Sequence, residues 1–207
     1  MKIVIIDYGL GNPMSIKNML KKCGAMDVEL SHQTDKLFQA DRLILPGVGH
    51  FKKGMDNLSQ LGLISILNEL VIDREKPILG ICLGMQLMTS FSEEGHILGL
   101  NWIEAQTNKF KFGNPDIKIP HMGWNDTEFV KQPFNDLDFE ENPPRFYYTH
   151  SYFVECKDET DVLCYANYEK KFHAGFLKNN IMGLQFHPEK SHVFGQKLLS
   201  EFLNWKP

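Results

Sequence analysis

Gly80-Ile81-Cys82-Leu83-Gly84-Met85-Gln86 closes an apolar run that begins at Pro77 and opens a stretch of helical character. A cysteine held between glycines at a strand-to-helix turn has the pattern of a nucleophile elbow. Small neighbours let the backbone turn sharply enough to lift the side chain off the sheet, and the helix N-terminus beyond it favours a thiolate and offers free N–H groups. On this reading residues 77–81 are a strand of an α/β fold and Cys82 lies at its carboxyl end. A cysteine packed against a sheet fits the same local pattern, so position alone leaves Cys82 open between nucleophile and core residue.

Outward from that turn, the first half of the chain alternates short β-branched runs with longer stretches of helical period, the pattern of parallel strands joined by crossover helices. Residues 2–6 read as a buried strand, and Ile16, Met19, Leu20 and Cys23 recur at helical spacing until Gly24 ends the helix. Residues 28–30 are a second strand and 42–45 a third, which runs into Pro46-Gly47-Val48-Gly49; residues 58–72 form a crossover helix back to 77–81. Ligands in such sheets bind beyond the carboxyl ends of the strands, so the turns at Asp7, Pro46 and Cys82 are expected on one face. The second half differs. Residues 97–105, 118–120, 146–154, 162–168, 173–177 and 181–186 are short and rich in β-branched and aromatic side chains, and are expected as antiparallel strands and hairpins, with Asn179-Asn180 as a tight turn. Residues 193–205 close the chain as an amphipathic helix with Leu198, Leu199, Phe202 and Trp205 inward. Residues 140–144 read as a surface loop within one domain spanning 1–207.

A chain of 207 residues, 43% hydrophobic and 23% charged, is ordinary for one globular domain with a sizeable core. The formal charge is −4 and the lysine pairs at 21–22, 52–53 and 170–171 are scattered, which argues against nucleic acid as a partner. No stretch has the length of a membrane span and the apolar start is too short for a signal peptide, so a cytoplasmic protein without membrane contact is expected. Cys23, Cys82, Cys156 and Cys164 lack CxxC spacing, which disfavours disulfides and structural zinc.

A nucleophilic cysteine needs a base, and the base needs a third group to hold it. Gln185-Phe186-His187-Pro188-Glu189-Lys190-Ser191 follows the last apolar strand, and an extended His-Pro-Glu segment puts both side chains on one side, where Glu189 can hydrogen-bond His187. A strand-capping histidine and a solvated glutamate fit the same residues. A metal site of His187, Glu189 and His192 is disfavoured, because Pro188 prevents one helical ligand face. The glycines of Pro46-Gly47-Val48-Gly49 leave N–H groups uncovered beside the cysteine, where Val48 and Gly49 with the Leu83 N–H can hold an oxyanion; a simple tight turn fits them equally. Gly9-Leu10-Gly11-Asn12-Pro13-Met14 begins like a dinucleotide fingerprint but has Met14 where the third glycine belongs, so a Rossmann cofactor site is rejected.

Together, residues 80–86, 46–49 and 187–189 resemble the nucleophile turn, oxyanion strand and His/Glu pair of the class I, triad-type glutamine amidotransferases. More narrowly, Asp7-Tyr8-Gly9-Leu10-Gly11-Asn12, Pro120-His121-Met122-Gly123-Trp124-Asn125, His150-Ser151-Tyr152 and residues 185–191 resemble the glutaminase subunits of imidazole glycerol phosphate synthases, in order along the whole chain. The resemblance implies a three-layer, flavodoxin-like fold with a mostly parallel central sheet and added antiparallel strands. It also implies hydrolysis of L-glutamine by Cys82, His187 and Glu189, an oxyanion hole of Val48, Gly49 and Leu83, and a substrate site that includes Gln86 and Ser151. No cofactor or metal is implied, since a thiolate and an imidazole suffice for amide hydrolysis. The implied partner is a (β/α)8-barrel cyclase of histidine biosynthesis, a heterodimer whose interface candidates are Asn12, Met122, Trp124 and Lys190. Pro13 departs from the expected N-terminal loop and, with the Glu189-Lys190-Ser191-His192 segment, keeps open a related glutaminase that feeds an amino-sugar amidotransferase. A catalytically silent scaffold and another cysteine hydrolase on a similar fold are the further alternatives; the intact triad argues against the first, and the matches at 7–12 and 120–125 against the second.

Overall fold

The computed structural model describes residues 1–114, 116–139 and 143–207. Strands β1 (Lys2–Ile6), β2 (Asp27–Ser31), β3 (Arg42–Leu45) and β4 (Ile78–Ile81) alternate with helices α1 (Pro13–Lys22), α2 (Thr34–Gln39), α3 (Phe51–Gln60) and α4 (Leu63–Asn68), and the five-residue α5 (Leu83–Leu87) follows β4. Strands β5 (Thr89–Ser92), β6 (Ile97–Leu98), β7 (Ile103–Lys109), β8 (His121–Phe129), β9 (Arg145–His150), β10 (Tyr152–Cys156), β11 (Val162–Tyr168), β12 (Lys170–Lys178) and β13 (Ile181–Leu184) precede the closing helix α6 (His192–Asn204).

The central sheet runs β2-β1-β3-β4-β13 with every neighbour parallel. Apart from the polar, partly exposed edge strand β2, its strands are short and buried on both faces, as parallel strands covered by helices must be. Ile3 and Ile5 join a core with α1 and α6, whereas Val4 and Ile6 join a second core with α2 to α5. The period-2 alternation of β1 thus assigns one set of side chains to each face, and three layers result. Beyond β13 the sheet continues through antiparallel β12 and β10 to β7, β5 and β6, while β11, β8 and β9 form a branch from β12.

Several expected elements are placed differently. The helix expected at 58–72 begins at Phe51 and is interrupted at Gly62, whose φ of +65° breaks it into α3 and α4. Residues 118–120 are a bend, because Pro120 has no N–H for a ladder, and β8 starts at His121. The strand expected over 97–105 is the two-residue β6 and the separate β7; that expected over 146–154 is divided at Ser151 into β9 and β10. β13 is antiparallel to β12 but parallel to β4. Helix α2 and strand β5 had no signal in the sequence. Of the expected loop at 140–144, residues 140–142 lie outside the described residues.

Candidate active site

β4 is flanked by parallel strands on both sides, so its chain can leave the layer only at the carboxyl end. There Cys82 takes φ 54° and ψ −110° as the N-cap of α5. This is a conformation L-residues rarely adopt, and holding it costs about 1–3 kcal/mol, which the surrounding packing supplies. The neighbouring glycines are dictated by close approach. A Cβ on Gly84 would lie 1.9 Å from the Leu45 carbonyl oxygen, and one on Gly47 would lie 2.7 Å from the Tyr8 hydroxyl and 2.8 Å from the Gly84 nitrogen. The Pro46–Gly49 loop therefore lies flat on the first turn of α5, as expected from the shared carboxyl edge. Cys82 itself is only 5% exposed.

The chain leaving β13 brings His187 to the same edge. The His187 N–H donates to the Tyr147 carbonyl (2.8 Å), and Ser191 Oγ donates to the His187 carbonyl (2.6 Å) while accepting from the Tyr147 N–H (3.0 Å). Residues Pro188–Lys190 form a single 3-10 turn, not the extended segment expected. Proline fits the first position of such a turn, where its missing N–H is not needed. The turn still brings Glu189 Oε1 to 2.8 Å from His187 Nδ1, with side chains 2% and 1% exposed respectively. His187 Nε2 is buried without a conventional hydrogen-bond partner among the described residues and faces the Cys82 sulfur. Burial alone would lower the imidazole's proton affinity. The sulfur of Cys82 and then Glu189 outweigh it, and His187 is pushed up to about 10. The arrangement therefore favours an imidazolium beside the sulfur, an acid positioned to protonate a leaving group.

Around the sulfur, the Thr149 carbonyl lies at 3.9 Å and Gln185 Nε2 donates at 3.8 Å. Gln86 Nε2 donates to Gln185 Oε1 (3.0 Å) and to the Tyr152 carbonyl (3.1 Å). Both its N–H groups are thereby engaged, which leaves Gln86 only its Oε1 to offer a ligand. Ser151 sits half-buried in the bend between β9 and β10, beside Thr149 and Tyr152. Tyr8 lies beneath the 46–49 loop and donates to the Pro46 carbonyl at 2.6 Å; burial and the nearby Cys82 charge raise its phenol. Of the oxyanion candidates, Val48 is 44% exposed and Gly49 has φ +130°. The Leu83 N–H is already capped, at 3.4 Å, by the Gly47 carbonyl.

The four interface candidates come from three elements, the N-terminus of α1, β8 and the 188–190 turn. Trp124 stacks on His192 (5.4 Å, 4°), and Lys190 Nζ sits 5.6 Å over the Tyr147 ring, so these side chains share one exposed surface. His192, the third member of the metal reading, is thus turned to Trp124. Met122 is 62% exposed and pairs across β8–β9 with Thr149, the residue whose carbonyl faces Cys82. Asn12 is the N-cap of α1, its side chain accepting from the Ser15 N–H at 3.4 Å, and α1 packs against the 3-10 turn that carries Lys190. Pro13 is the first helical residue there, which explains locally why proline is tolerated. Tyr8, Thr149, Gln185, His121 and His150 were assigned no function from sequence. Each sat inside a recognisable segment, and only the fold shows what it touches.

The glutamine amidotransferase class-I family matches residues 4–205. The chain is 50% identical over 202 residues to the imidazole glycerol phosphate synthase subunit HisH 2 of Methanococcus maripaludis, covering 97% of this chain and 98% of that protein. It is 44% identical, with the same coverage, to the imidazole glycerol phosphate synthase subunit HisH 2 of Pseudomonas aeruginosa. Among solved structures, a glutamine amidotransferase superposes with a TM-score of 0.74 at 17% identity, covering 97% of each chain. PurLQS from Thermotoga maritima superposes with a TM-score of 0.71 at 20% identity, covering 98% of this chain and 97% of that one. At these identities the superpositions speak for the fold alone.

Proposed function

The chain belongs to the class-I glutamine amidotransferases, and we propose that it is, as a single domain, the glutaminase subunit of a two-component synthase, passing ammonia to an imidazole glycerol phosphate synthase cyclase. The observation that carries this reading is Cys82, strained at the carboxyl end of β4 and facing a His187 held by buried Glu189.

The Cys82 thiolate attacks the side-chain carbonyl carbon of glutamine. The C=O pair moves onto oxygen as the C–S bond forms, and backbone N–H groups at Leu83 and Val48–Gly49 receive the oxyanion. His187 gives its Nε2 proton to the amide nitrogen, the C–N bond breaks, and ammonia leaves a γ-glutamyl thioester. The neutral imidazole then takes a proton from water, whose oxygen attacks the thioester to release glutamate and regenerate the thiolate. Glu189 steadies the imidazolium in both halves, and Gln86 Oε1 with Ser151 orients the amino-acid end of the substrate. Free ammonia is mostly ammonium at neutral pH and a poor nucleophile, so direct transfer to a docked synthase follows from the chemistry.

The Leu83 N–H is capped by Gly47, so this state lacks one oxyanion donor. Gly11, at φ +95°, backs onto the loop so closely that a Cβ there would be 3.1 Å from the Gly47 nitrogen. A partner seated on residues 9–12 and on the Met122–Trp124 face would press on that peptide, and glutamate release is expected to rise strongly when synthase and acceptor bind.

A second reading keeps the chemistry and changes the acceptor to an amino-sugar amidotransferase. It is favoured by Pro13, which opens α1 and leaves Met14 54% exposed at the surface where a partner's loop would sit. The test is glutamate release by the purified chain with a barrel cyclase or with a sugar amidotransferase. Cys82→Ala is expected to abolish release while the stimulating synthase still works on added ammonia. Release surviving that substitution would overturn the mechanism.

A further inference from the structure

Behind the site lies a buried polar chain that the mechanism does not use. His121 on β8 and His150 on β9 are register partners, 3% and 6% exposed, with His121 Nδ1 3.0 Å from His150 Nε2. His150 Nδ1 lies 2.7 Å from the Tyr152 carbonyl, and His121 Nε2 lies 3.2 Å from Asn125 Nδ2. Asn125 Nδ2 also donates to the Asn167 carbonyl at 2.9 Å.

Both ends of this chain are fixed by groups that can only accept. The Tyr152 carbonyl requires an N–H at His150 Nδ1, so in the neutral ring Nε2 is the acceptor. His121 must then donate from Nδ1 and accept at Nε2, and the Asn125 amide supplies that donor because its orientation is set by the Asn167 carbonyl. Every bond runs one way: Asn125 to His121, His121 to His150, His150 to Tyr152. His121 is sandwiched between the rings of Tyr148 and Tyr168 at 4.8 and 4.1 Å, and Phe110 and Phe172 flank His150 at 5.4 Å. This aromatic enclosure disfavours a charge on either ring, and burial lowers His121 to about 4 and His150 to about 3.

The chain ends on the residues around the sulfur. Tyr152 O is also the acceptor for Gln86, which continues through Gln185 to Cys82. His150 itself lies between Thr149, whose carbonyl faces the sulfur, and Ser151. At the other end, His121 and Asn125 bracket Met122 and Trp124, the exposed face of β8. We infer that His121 and His150 are positioning residues: a neutral, tautomer-ordered pair that ties the partner-facing strand β8 to the Thr149–Tyr152 crossing, so that partner docking sets how glutamine is held. The inference rests on the glutaminase reading above.

Two polar substitutions of similar size separate this from mere packing. His121→Asn places an amide N–H where Nδ1 stood and keeps the bond to His150. His121→Gln reaches the Nε2 position and loses that bond. With the stimulating synthase and acceptor present, the Gln variant is expected to lose about tenfold in kcat/KM for glutamine, mostly through KM, the size of effect one buried hydrogen bond carries. The Asn variant is expected to stay within about threefold of wild type on the same scale. Equal behaviour of the two variants, in either direction, overturns the inference. Nitrogen-15 spectra of the wild-type complex at neutral pH give a measurement independent of any variant: both rings are expected as the Nδ1–H tautomer, and an Nε2–H tautomer at either position also overturns it. A wild-type chain that releases no glutamate with either synthase refutes the glutaminase reading instead, and leaves the tautomer result standing by itself.

Discussion

Replacing Glu189 by Gln tests the proposed triad with little change of shape. The glutamate accepts from His187 Nδ1 at 2.8 Å in a site where both side chains are nearly sealed from water. A hydrogen bond to a charged group is worth about 1.5–3 kcal/mol net. Glutamine keeps the bond and removes the charge, so the loss of transition-state stabilisation should be the difference between a charged and a neutral hydrogen bond, about 1–1.5 kcal/mol or roughly 5- to 13-fold in kcat/KM. The pH dependence adds a sign. His187 is raised from 6.5 to about 10, so its contribution to folding is fully present below about pH 6.5 and is lost as pH rises through 10. Without the Glu189 charge the folded value moves back toward 6.5. The activity deficit should therefore widen with pH, because the variant runs out of imidazolium earlier. The stability deficit should run the opposite way, fully present at and below about pH 6.5 and closing toward pH 10. Glutamate release by the synthase-bound chain across the alkaline range, with thermal melts in the same buffers, measures both. A variant within about twofold of wild type, with an unmoved alkaline limb, would refute the role given to Glu189.

Gly84→Ala puts a Cβ 1.9 Å from a backbone oxygen of β3 with rigid structure on both sides. It should cost more than about 3 kcal/mol and be seen as insolubility or a collapsed denaturation midpoint; a normally stable variant would contradict the packing of α5 on β3. Tyr8→Phe strands the buried Pro46 carbonyl. It should lower Tm by about 2–6 °C, and, by loosening the Gly47 peptide, raise glutamine turnover in the absence of partner; a fall in that turnover would argue against a capped resting state. Trp124→Ala removes the exposed ring stacked on His192, and titration calorimetry should show synthase binding weakened by about tenfold or more, with unchanged affinity excluding this surface from the interface.

The site was legible in sequence to the extent that its chemistry depends on local backbone. Gly80 and Gly84 on either side of Cys82 signal a sharp turn because backbone approaches them too closely for a side chain, and His187 with Glu189 is a contact two residues apart that either an extended segment or a 3-10 turn can make. An extended segment is what the sequence suggests and a 3-10 turn is what forms; the pair is kept because Ser191 and Tyr147 clamp the backbone on both sides. What was not legible depends on register across the sheet. That His121 meets His150, or that Met122 stands opposite Thr149, follows from where β8 begins, and Pro120 moved that start by three residues from the expected strand. The break at Ser151 was hidden for the same reason. Residues 146–154 are uniformly rich in β-branched and aromatic side chains and so read as one strand, and only the separate pairing of β9 with β8 and of β10 with β7 and β12 requires a bend between them.

On the proposed reading, that bend and the Gly47 peptide are the places where the site's activity before a partner docks is set. The cap on the Leu83 N–H is a single long hydrogen bond of 3.4 Å, worth on the order of 1 kcal/mol or less. Rotating the Gly47–Val48 peptide would exchange that carbonyl for an N–H directed at the oxyanion, and such a donor is typically worth about 2.7–4 kcal/mol in the transition state. The rotation thus costs less than the donor returns, provided something holds the rotated form. Gly11 packs against the Gly47 nitrogen and Tyr8 holds the Pro46 carbonyl, both on the peptide immediately before the rotating one, while β8 reaches the thiol through Thr149, its partner on β9. A partner covering both surfaces acts on the oxyanion loop and on the substrate crossing together. Neither action requires the parallel sheet to move, so activation on this reading is a local rearrangement around Cys82, and the strain at φ 54° is carried unchanged through it.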